Sequence, residues 1–130
     1  MLVRAPRTEA ELEARLVALG YRRETATATV ARCRDLGYVG DARFAAERAR
    51  SLRARGAGSL RIEADLAARG LSDALIAAAV EDSREGLREI DWARRALART
   101  PRRGNAWRFL AGRGFPEDVI VDLVGDVIVS

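Results

Sequence analysis

Leu66-Ala67-Ala68-Arg69-Gly70-Leu71 is the segment from which the fold is best predicted. A glycine just beyond a helix can adopt the left-handed backbone conformation that closes the last turn. In that arrangement the residue after the glycine packs against the residue four positions before the glycine. Those two positions are Leu71 and Leu66, so the segment predicts the end of a helix.

The same pattern occurs at two other places, Leu16–Tyr21 and Leu110–Phe115. Each has a leucine, three further residues, a glycine and then a large apolar residue. The three glycines, at positions 20, 70 and 114, are 50 and 44 residues apart. One such helix ending is common, but three at similar spacing indicate an internal repeat. We call each of these segments a motif.

Further helices are predicted around the motifs. After the second motif, Ser72 should cap a helix whose apolar face consists of Leu75, Ile76, Ala79 and Val80. After the third motif, Pro116 suits the start of a helix whose apolar face consists of Val119, Ile120, Leu123 and Val124. A helix over 24–36 should follow the first motif, and helices over 42–55 and 87–99 should precede the second and third motifs. Asp41 is expected to cap the helix over 42–55. Phe44 and Trp92 occupy equivalent places in these last two helices, so we interpret Trp92 as a core residue.

The repeat therefore predicts an all-α fold, an elongated array of three tandem three-helix units of roughly 45 residues each. We divide the chain into residues 1–39, 40–82 and 83–130. We expect the first unit to be incomplete, since only residues 1–7 precede its motif helix: either the chain starts late or that end of the array is left open. An open end of this kind should expose apolar side chains.

Several classes of chemistry are excluded by composition. The chain has no histidine and, since all 23 basic residues are arginine, no lysine. It therefore lacks the commonest general base and metal ligand, and it cannot form a lysine-containing phosphate loop. Cys33 is the single cysteine, which excludes an internal disulfide. We expect a protein that is not an enzyme and that binds neither cofactor nor metal. Without an apolar signal core or a membrane span, it should be cytoplasmic.

Arginine is concentrated in two blocks that the modest net charge of +4 conceals. Residues 43–61 carry six arginines and one acid, and residues 94–113 carry seven arginines and no acid. Residues 116–130, by contrast, carry four acids and no base. The two blocks occupy equivalent places in the second and third units. They are consistent with solvated helix faces, but their alignment favours a basic stripe that meets a polyanion.

The candidate contacts are the arginines of this stripe. At about 100° per residue, Arg43, Arg50 and Arg53 should lie on the side of their helix opposite Phe44. The full set is Arg43, Arg50, Arg53, Arg55, Arg61, Arg95, Arg99, Arg102, Arg103 and Arg108. The residues that we interpret as structural are Gly37, Tyr38, Asp41, Phe44, Leu66, Gly70, Trp92, Leu110 and Gly114.

Residues 37–45, Gly-Tyr-Val-Gly-Asp-Ala-Arg-Phe-Ala, resemble the signature of the RecX family. The likeness continues through Arg55-Gly56-Ala57-Gly58, Arg69-Gly70-Leu71, Asp91-Trp92-Ala93 and Arg113-Gly114-Phe115. It covers residues 8 to about 124, with two departures: the shortened first unit, and Gly40 where the family often has an acid.

The resemblance implies a modulator of the RecA recombinase. Members of this family are curved stacks of three-helix units that lie in the groove of RecA filaments on single-stranded DNA. They inhibit the ATPase and strand exchange and limit filament growth. The expected partners are therefore the RecA filament and single-stranded DNA, with double-stranded DNA left open, and the chain is expected to be a monomer without a membrane partner.

Two other functions are compatible with the sequence. Three-helix units of this size also form helix-turn-helix regulators that read duplex DNA. Against that function, Asn105 is the only Asn or Gln in the chain, and these residue types commonly read adenine. The second alternative is a helical scaffold whose arginines serve only as solvated surface.

Overall fold

Eight α-helices make up the part of the chain that the computed structural model describes, which is residues 8–35, 40–102 and 104–129, the last four by backbone alone. They are α1 (Glu9–Ala18), α2 (Arg23–Asp35), α3 (Asp41–Ala54), α4 (Ser59–Ala68), α5 (Asp73–Ser83), α6 (Glu89–Arg99), α7 (Ala106–Arg113) and α8 (Glu117–Val129). The predicted all-α class is confirmed. Within the described ranges, no helix is long and apolar enough to cross a membrane.

The three motifs end α1, α4 and α7 in the predicted way. The N–H of the residue after each glycine donates to the carbonyl of the motif leucine, over 3.1 Å from Tyr21, 3.4 Å from Leu71 and 3.1 Å from Phe115. The glycines themselves have φ values of 102°, 82° and 90°. This is the six-to-one hydrogen bond of a helix closed by a left-handed residue, and it confirms the repeat.

Helix packing follows the same threefold pattern. The main helix contacts join α1 with α2, then α3, α4 and α5 with one another, then α6, α7 and α8 with one another. Ile62 and Leu66 are fully buried in the core of the middle group, and Leu110 and Ile120 are buried in the core of the last group. We refer to these groups as the first, second and third units. The predicted division after residue 39 falls outside the described residues, and the division after residue 82 falls one residue before the end of α5.

The first unit has a small core and an exposed apolar edge. Leu12 and Val30 are buried, with Leu16 and Cys33 packed against them. Tyr21, which follows the motif glycine, is 53% exposed, whereas the equivalent Phe115 is 2% exposed. Only two described helices form this unit. The first unit therefore leaves apolar side chains exposed, among them Leu19 and Tyr21.

Consecutive units meet through the ends of their motif helices. The Thr8 hydroxyl, at the start of α1, donates to the Arg69 carbonyl at the end of α4 over 2.8 Å. At the next joint, the N–H groups of Gly58 and Leu60 donate to the carbonyls of Arg113 and Gly114 over 2.7 and 2.9 Å. The N-terminus of one motif helix thus adjoins the C-terminus of the next, an arrangement that places opposite ends of two helix dipoles side by side.

An acidic side chain strengthens each joint. Asp41, the first residue of α3, accepts from the N–H of Glu9 over 3.0 Å, and Glu89, the first residue of α6, accepts from the N–H of Ser59 over 2.8 Å. The prediction that Asp41 caps α3 is therefore wrong. Gly40 is the N-cap of α3 and has no side chain that could form a cap bond. The Asp41 carboxylate instead accepts from the N–H of Glu9 at the start of α1.

Candidate functional site

Four arginines converge at the joint between the second and third units, and we call them the joint arginines: Arg55, Arg61, Arg99 and Arg113. Arg55 is the C-cap residue that follows α3, and Arg61 lies in the first turn of α4. Arg99 and Arg113 are the last residues of α6 and α7. Three of them, Arg55, Arg99 and Arg113, line a cleft of about 150 Å³. Arg61 joins Arg55 and Arg113 around an adjoining cleft of about 200 Å³.

Backbone carbonyls at helix ends hold three of these side chains in place. Arg99 Nη1 donates to the Ala54 carbonyl over 2.6 Å, and Arg113 Nη1 donates to the Arg55 carbonyl over 3.1 Å. Arg61 Nη1 donates in the opposite direction, to the Gly112 carbonyl over 3.4 Å. Carbonyls in the last turn of a helix lack partners within the helix, so these bonds satisfy them. Each guanidinium carries five N–H groups, and most of them stay available to a ligand.

Among the described residues, no carboxylate neutralises this cluster. Across the described ranges, no Asp or Glu oxygen lies within 4.0 Å of a guanidinium nitrogen of any joint arginine. Elsewhere such pairs are frequent: Arg48 forms a two-pronged pair with Asp65 at 2.9 and 3.0 Å. Four positive charges with open donors can accept an anion, and guanidinium geometry matches phosphate and carboxylate groups.

Arg113 is a member of the cluster that sequence reasoning missed. Its guanidinium also lies 4.9 Å from the centre of the Phe109 ring, within the range of a cation–π contact. The repeat offered a signal for Arg113, because an arginine precedes the motif glycine in both the second and the third unit. The equivalent residue of the second unit, Arg69, bonds to Glu11 and Asp65. Arg69 thus contacts Glu11 of the first unit, and Arg113 contacts the Arg55 carbonyl of the second unit, so each arginine bonds to the unit before its own.

Arg53 is not a surface contact, which corrects the prediction for this residue. Its side chain is 1% exposed and donates to Glu89 over 2.9 Å and to the hydroxyl of Ser59 over 3.0 Å. The reason lies in helix geometry: Ala45, Ala49 and Arg53 follow one another at intervals of four and form the buried stripe of α3. The position is therefore interior, and Glu89 from the third unit supplies the counter-charge.

Glu89 is the centre of a buried network at this joint. It accepts from the N–H and hydroxyl of Ser59, from Arg53 and from Arg84. Burial by itself would raise the pKa of Glu89, but the hydrogen bonds from Ser59 and Arg53 and the charge of Arg53 outweigh it and lower the pKa below its ordinary value. Glu89 is therefore ionised in the folded protein at neutral pH.

The other predicted contacts divide into paired and open arginines. Arg43 bonds to Glu47 over 3.0 Å, and Arg50 bonds to Asp82 over 2.7 Å. Arg95 is exposed and lies 4.9 Å from the centre of the Trp92 ring. Arg102 and Arg108 are exposed on either side of α7's start.

Three predicted residues lie outside the described part of the chain, namely Arg103, Gly37 and Tyr38. The interpretation of Trp92 as a core residue is confirmed, because its ring packs against the core of the third unit and its Nε1 donates to the Arg84 carbonyl over 3.0 Å. Phe44 packs in the same way against the core of the second unit. The described residues contain no group of three or more side chains that could hold a metal ion.

Comparison with known proteins gives concordant matches. Residues 41–80 match the family model for the second three-helix domain of RecX. The chain is 36% identical over 126 residues to the regulatory protein RecX of Chromohalobacter salexigens, covering 88% of this chain and 80% of that protein. It is 35% identical over 129 residues to the regulatory protein RecX of Stenotrophomonas maltophilia strain R551-3, covering 92% and 78%.

A solved structure shares the fold. The crystal structure of RecX from Lactobacillus salivarius matches with a TM-score of 0.74 over 99% of this chain and 90% of that chain. The two sequences are 18% identical. The arrangement of helices is therefore retained although most side chains differ.

Proposed function

Because the chain belongs to the RecX family, we propose that it is a negative regulator of the RecA recombinase. In this proposal it binds the RecA filament on single-stranded DNA and inhibits the ATPase activity, strand exchange and growth of that filament. The protein acts by binding and performs no chemical step of its own.

The unpaired joint arginines are the observation that supports this function. The DNA in a RecA filament presents phosphates along an extended polymer. An array of units joined end to end can place several weak contacts along such a polymer, and each contact raises the effective concentration of the next. The joint arginines provide a cluster of cationic donors at the middle of that array.

The direct test is RecA's DNA-dependent ATPase with increasing amounts of the protein. We expect inhibition at a stoichiometric dose, weakened in Arg55→Gln. Arg32→Gln is the matched control, since Arg32 is an exposed arginine of α2 with no ion pair among the described residues. Full ATPase activity at a stoichiometric dose of the wild-type protein would contradict the proposal.

The helix-turn-helix alternative finds less support in the geometry. Asn105 is the N-cap of α7, and its Oδ1 accepts from the N–H of Arg108 over 3.0 Å. Two-pronged recognition of adenine needs both the oxygen and the nitrogen of the amide. Sequence-specific binding to duplex DNA without RecA would nevertheless favour this alternative, and the same protein preparation can be tested for it.

A further inference from the structure

We propose that the two clefts between the second and third units form a phosphate-binding site, and that a bound phosphate group ties these units together. The ligand class is a phosphoryl group, from either a nucleic-acid backbone or a nucleotide. The inference deepens the proposed function and rests on it for its biological setting. Its test uses the protein with small anions and needs no RecA.

The donors come from both sides of the joint. Arg55 and Arg61 belong to the second unit, and Arg99 and Arg113 belong to the third. Since Arg55 and Arg113 line both clefts, a single anion there would bond to the two units at once. Binding should therefore resist movement of one unit relative to the other.

Three of the four donors are also held in place before any ligand arrives. Arg99, Arg113 and Arg61 are already bonded to backbone carbonyls across the joint at 2.6, 3.1 and 3.4 Å. An arginine held in this way loses little further side-chain freedom when it binds an anion. An anion-binding site requires donors that are already in position and that no carboxylate neutralises. Among the described residues, these three arginines meet both requirements.

Phosphate fits this arrangement better than a carboxylate does. Guanidinium groups from four chain segments converge here, and a phosphoryl group has more acceptor oxygens to bridge them than the two of a carboxylate. The clefts, of about 150 and 200 Å³, have room for a phosphate carried on a thin strand. An acidic patch on a folded protein would approach the joint as a broad surface and reach fewer of the donors.

The experiment measures thermal unfolding and affinity for pyrophosphate, with sodium chloride at matched ionic strength as the reference. A ligand that binds only the folded state stabilises it in a saturable way. We expect a saturable rise in the unfolding temperature with pyrophosphate and none with chloride. Hydrogen exchange at the N–H groups of Gly58 and Leu60, which bond across the joint, should slow in parallel.

Arg55→Gln is the decisive variant because it preserves the joint. The carbonyl of Arg55 accepts the bond from Arg113, and that carbonyl is retained, while the side chain has no hydrogen-bond partner among the described residues. Loss of one charge-assisted contact should weaken pyrophosphate binding about tenfold. The control Arg32→Gln loses the same charge in the first unit and should bind as the wild type does.

A thymidine oligonucleotide without terminal phosphates distinguishes the two sources of phosphate. If pyrophosphate and the oligonucleotide both bind, and Arg55→Gln weakens both, the site accepts any phosphoryl group. If only one of the two binds, it identifies whether the phosphate comes from a nucleotide or from a nucleic-acid backbone. Equal, non-saturable effects of pyrophosphate and chloride on all variants would overturn the proposal. So would an oligoglutamate peptide that binds in an Arg55-dependent manner while neither phosphate ligand does.

Discussion

Arg53 and Glu89 form an ion pair with 1% and 9% of their side chains exposed, and this pair spans two units. Removal of one member of a buried pair leaves the other charge without compensation, which usually costs 3–5 kcal/mol. Glu89→Gln retains part of the hydrogen bonding but loses the charge. We expect it to lower the free energy of unfolding by about 3 kcal/mol, as measured by urea denaturation followed by circular dichroism.

The matched control is the exposed pair between Arg50 and Asp82, in which the side chains are 51% and 44% exposed. Exposed pairs contribute little, since water and salt screen them. Asp82→Asn should therefore cost at most about 1 kcal/mol. Similar losses in Asp82→Asn and Glu89→Gln would show that burial does not determine the contribution of these pairs.

Glu89 also makes the stability depend on pH. Its pKa in the folded protein lies below the ordinary value of 4.5, so the folded state favours the ionised form more than the unfolded chain does. The resulting stabilisation is fully present above the unfolded pKa and is lost as the pH falls through the folded pKa.

We therefore expect the free energy of unfolding of the wild type to fall as the pH drops below about 4.5, and to fall less steeply in Glu89→Gln. The variant should not become independent of pH, because hydrogen bonding from Arg48 lowers the pKa of Asp65 in the same direction. Urea denaturation at a series of pH values measures both slopes. Parallel curves for the two proteins would mean that folding does not lower the pKa of Glu89.

At the scale of the helices, the three motif glycines differ in their surroundings. All have positive φ, so an alanine at any of them costs about 1 kcal/mol of backbone strain. A Cβ at Gly20 would meet nothing within 4 Å, whereas one at Gly70 would lie 2.7 Å from Ala10 Cβ. At Gly114 it would lie 2.5 Å from the backbone nitrogen of Arg61.

Alanine substitutions should therefore destabilise in a graded order, least at Gly20, more at Gly70 and most at Gly114. The part of each loss in the free energy of unfolding that exceeds about 1 kcal/mol reflects how closely the motif helices of neighbouring units approach. Urea denaturation of the three variants tests the order. Gly86→Ala is the internal control, since Gly86 has φ of 81° and open space around it, and its loss should equal that of Gly20→Ala. Equal losses at all four glycines would contradict the close approach.

For the whole molecule, the helices were predictable and the joints were not. Helix ends depend on local signals such as the leucine–glycine motif and the Ser72 cap, whose hydroxyl accepts from the N–H of Leu75 over 3.3 Å. The joint contacts instead link residues far apart in the chain: 45 residues separate Arg99 from Ala54, and 58 separate Arg113 from Arg55. No periodicity within one helix can indicate such a pairing.

Arg53 is a second case in which a contact between residues far apart in the chain could not be predicted, and here the residue is buried although its charge predicted exposure. A charged residue on a predicted helix is normally assigned to the solvent face. The buried charge is compensated by the carboxylate of Glu89, 36 residues later, and the guanidinium also donates to the hydroxyls of Ser59 and Ser83. The spacing of Ala45, Ala49 and Arg53 was the local signal that the residue lies inside, and the charge obscured it.

The charge distribution of the whole array leads to a last prediction, on binding to single-stranded DNA. Each phosphate neutralised by an arginine releases counterions, so the logarithm of the affinity falls with the logarithm of salt concentration by about 0.7 per contact. If the joint arginines meet phosphates, Arg55→Gln should reduce that slope by about 0.7. Fluorescence anisotropy of a labelled thymidine oligonucleotide over a sodium chloride series measures it.

Arg43→Gln provides the comparison that separates a local contact from overall charge. Both variants lose one positive charge, but Arg43 already bonds to Glu47 over 3.0 Å, whereas no carboxylate within the described ranges pairs with Arg55. An arginine that neutralises a carboxylate is less available to displace counterions from DNA, so the slope for Arg43→Gln should equal that of the wild type. Equal reductions in both variants would mean that DNA senses only net charge, and the joint would then have no special part in binding.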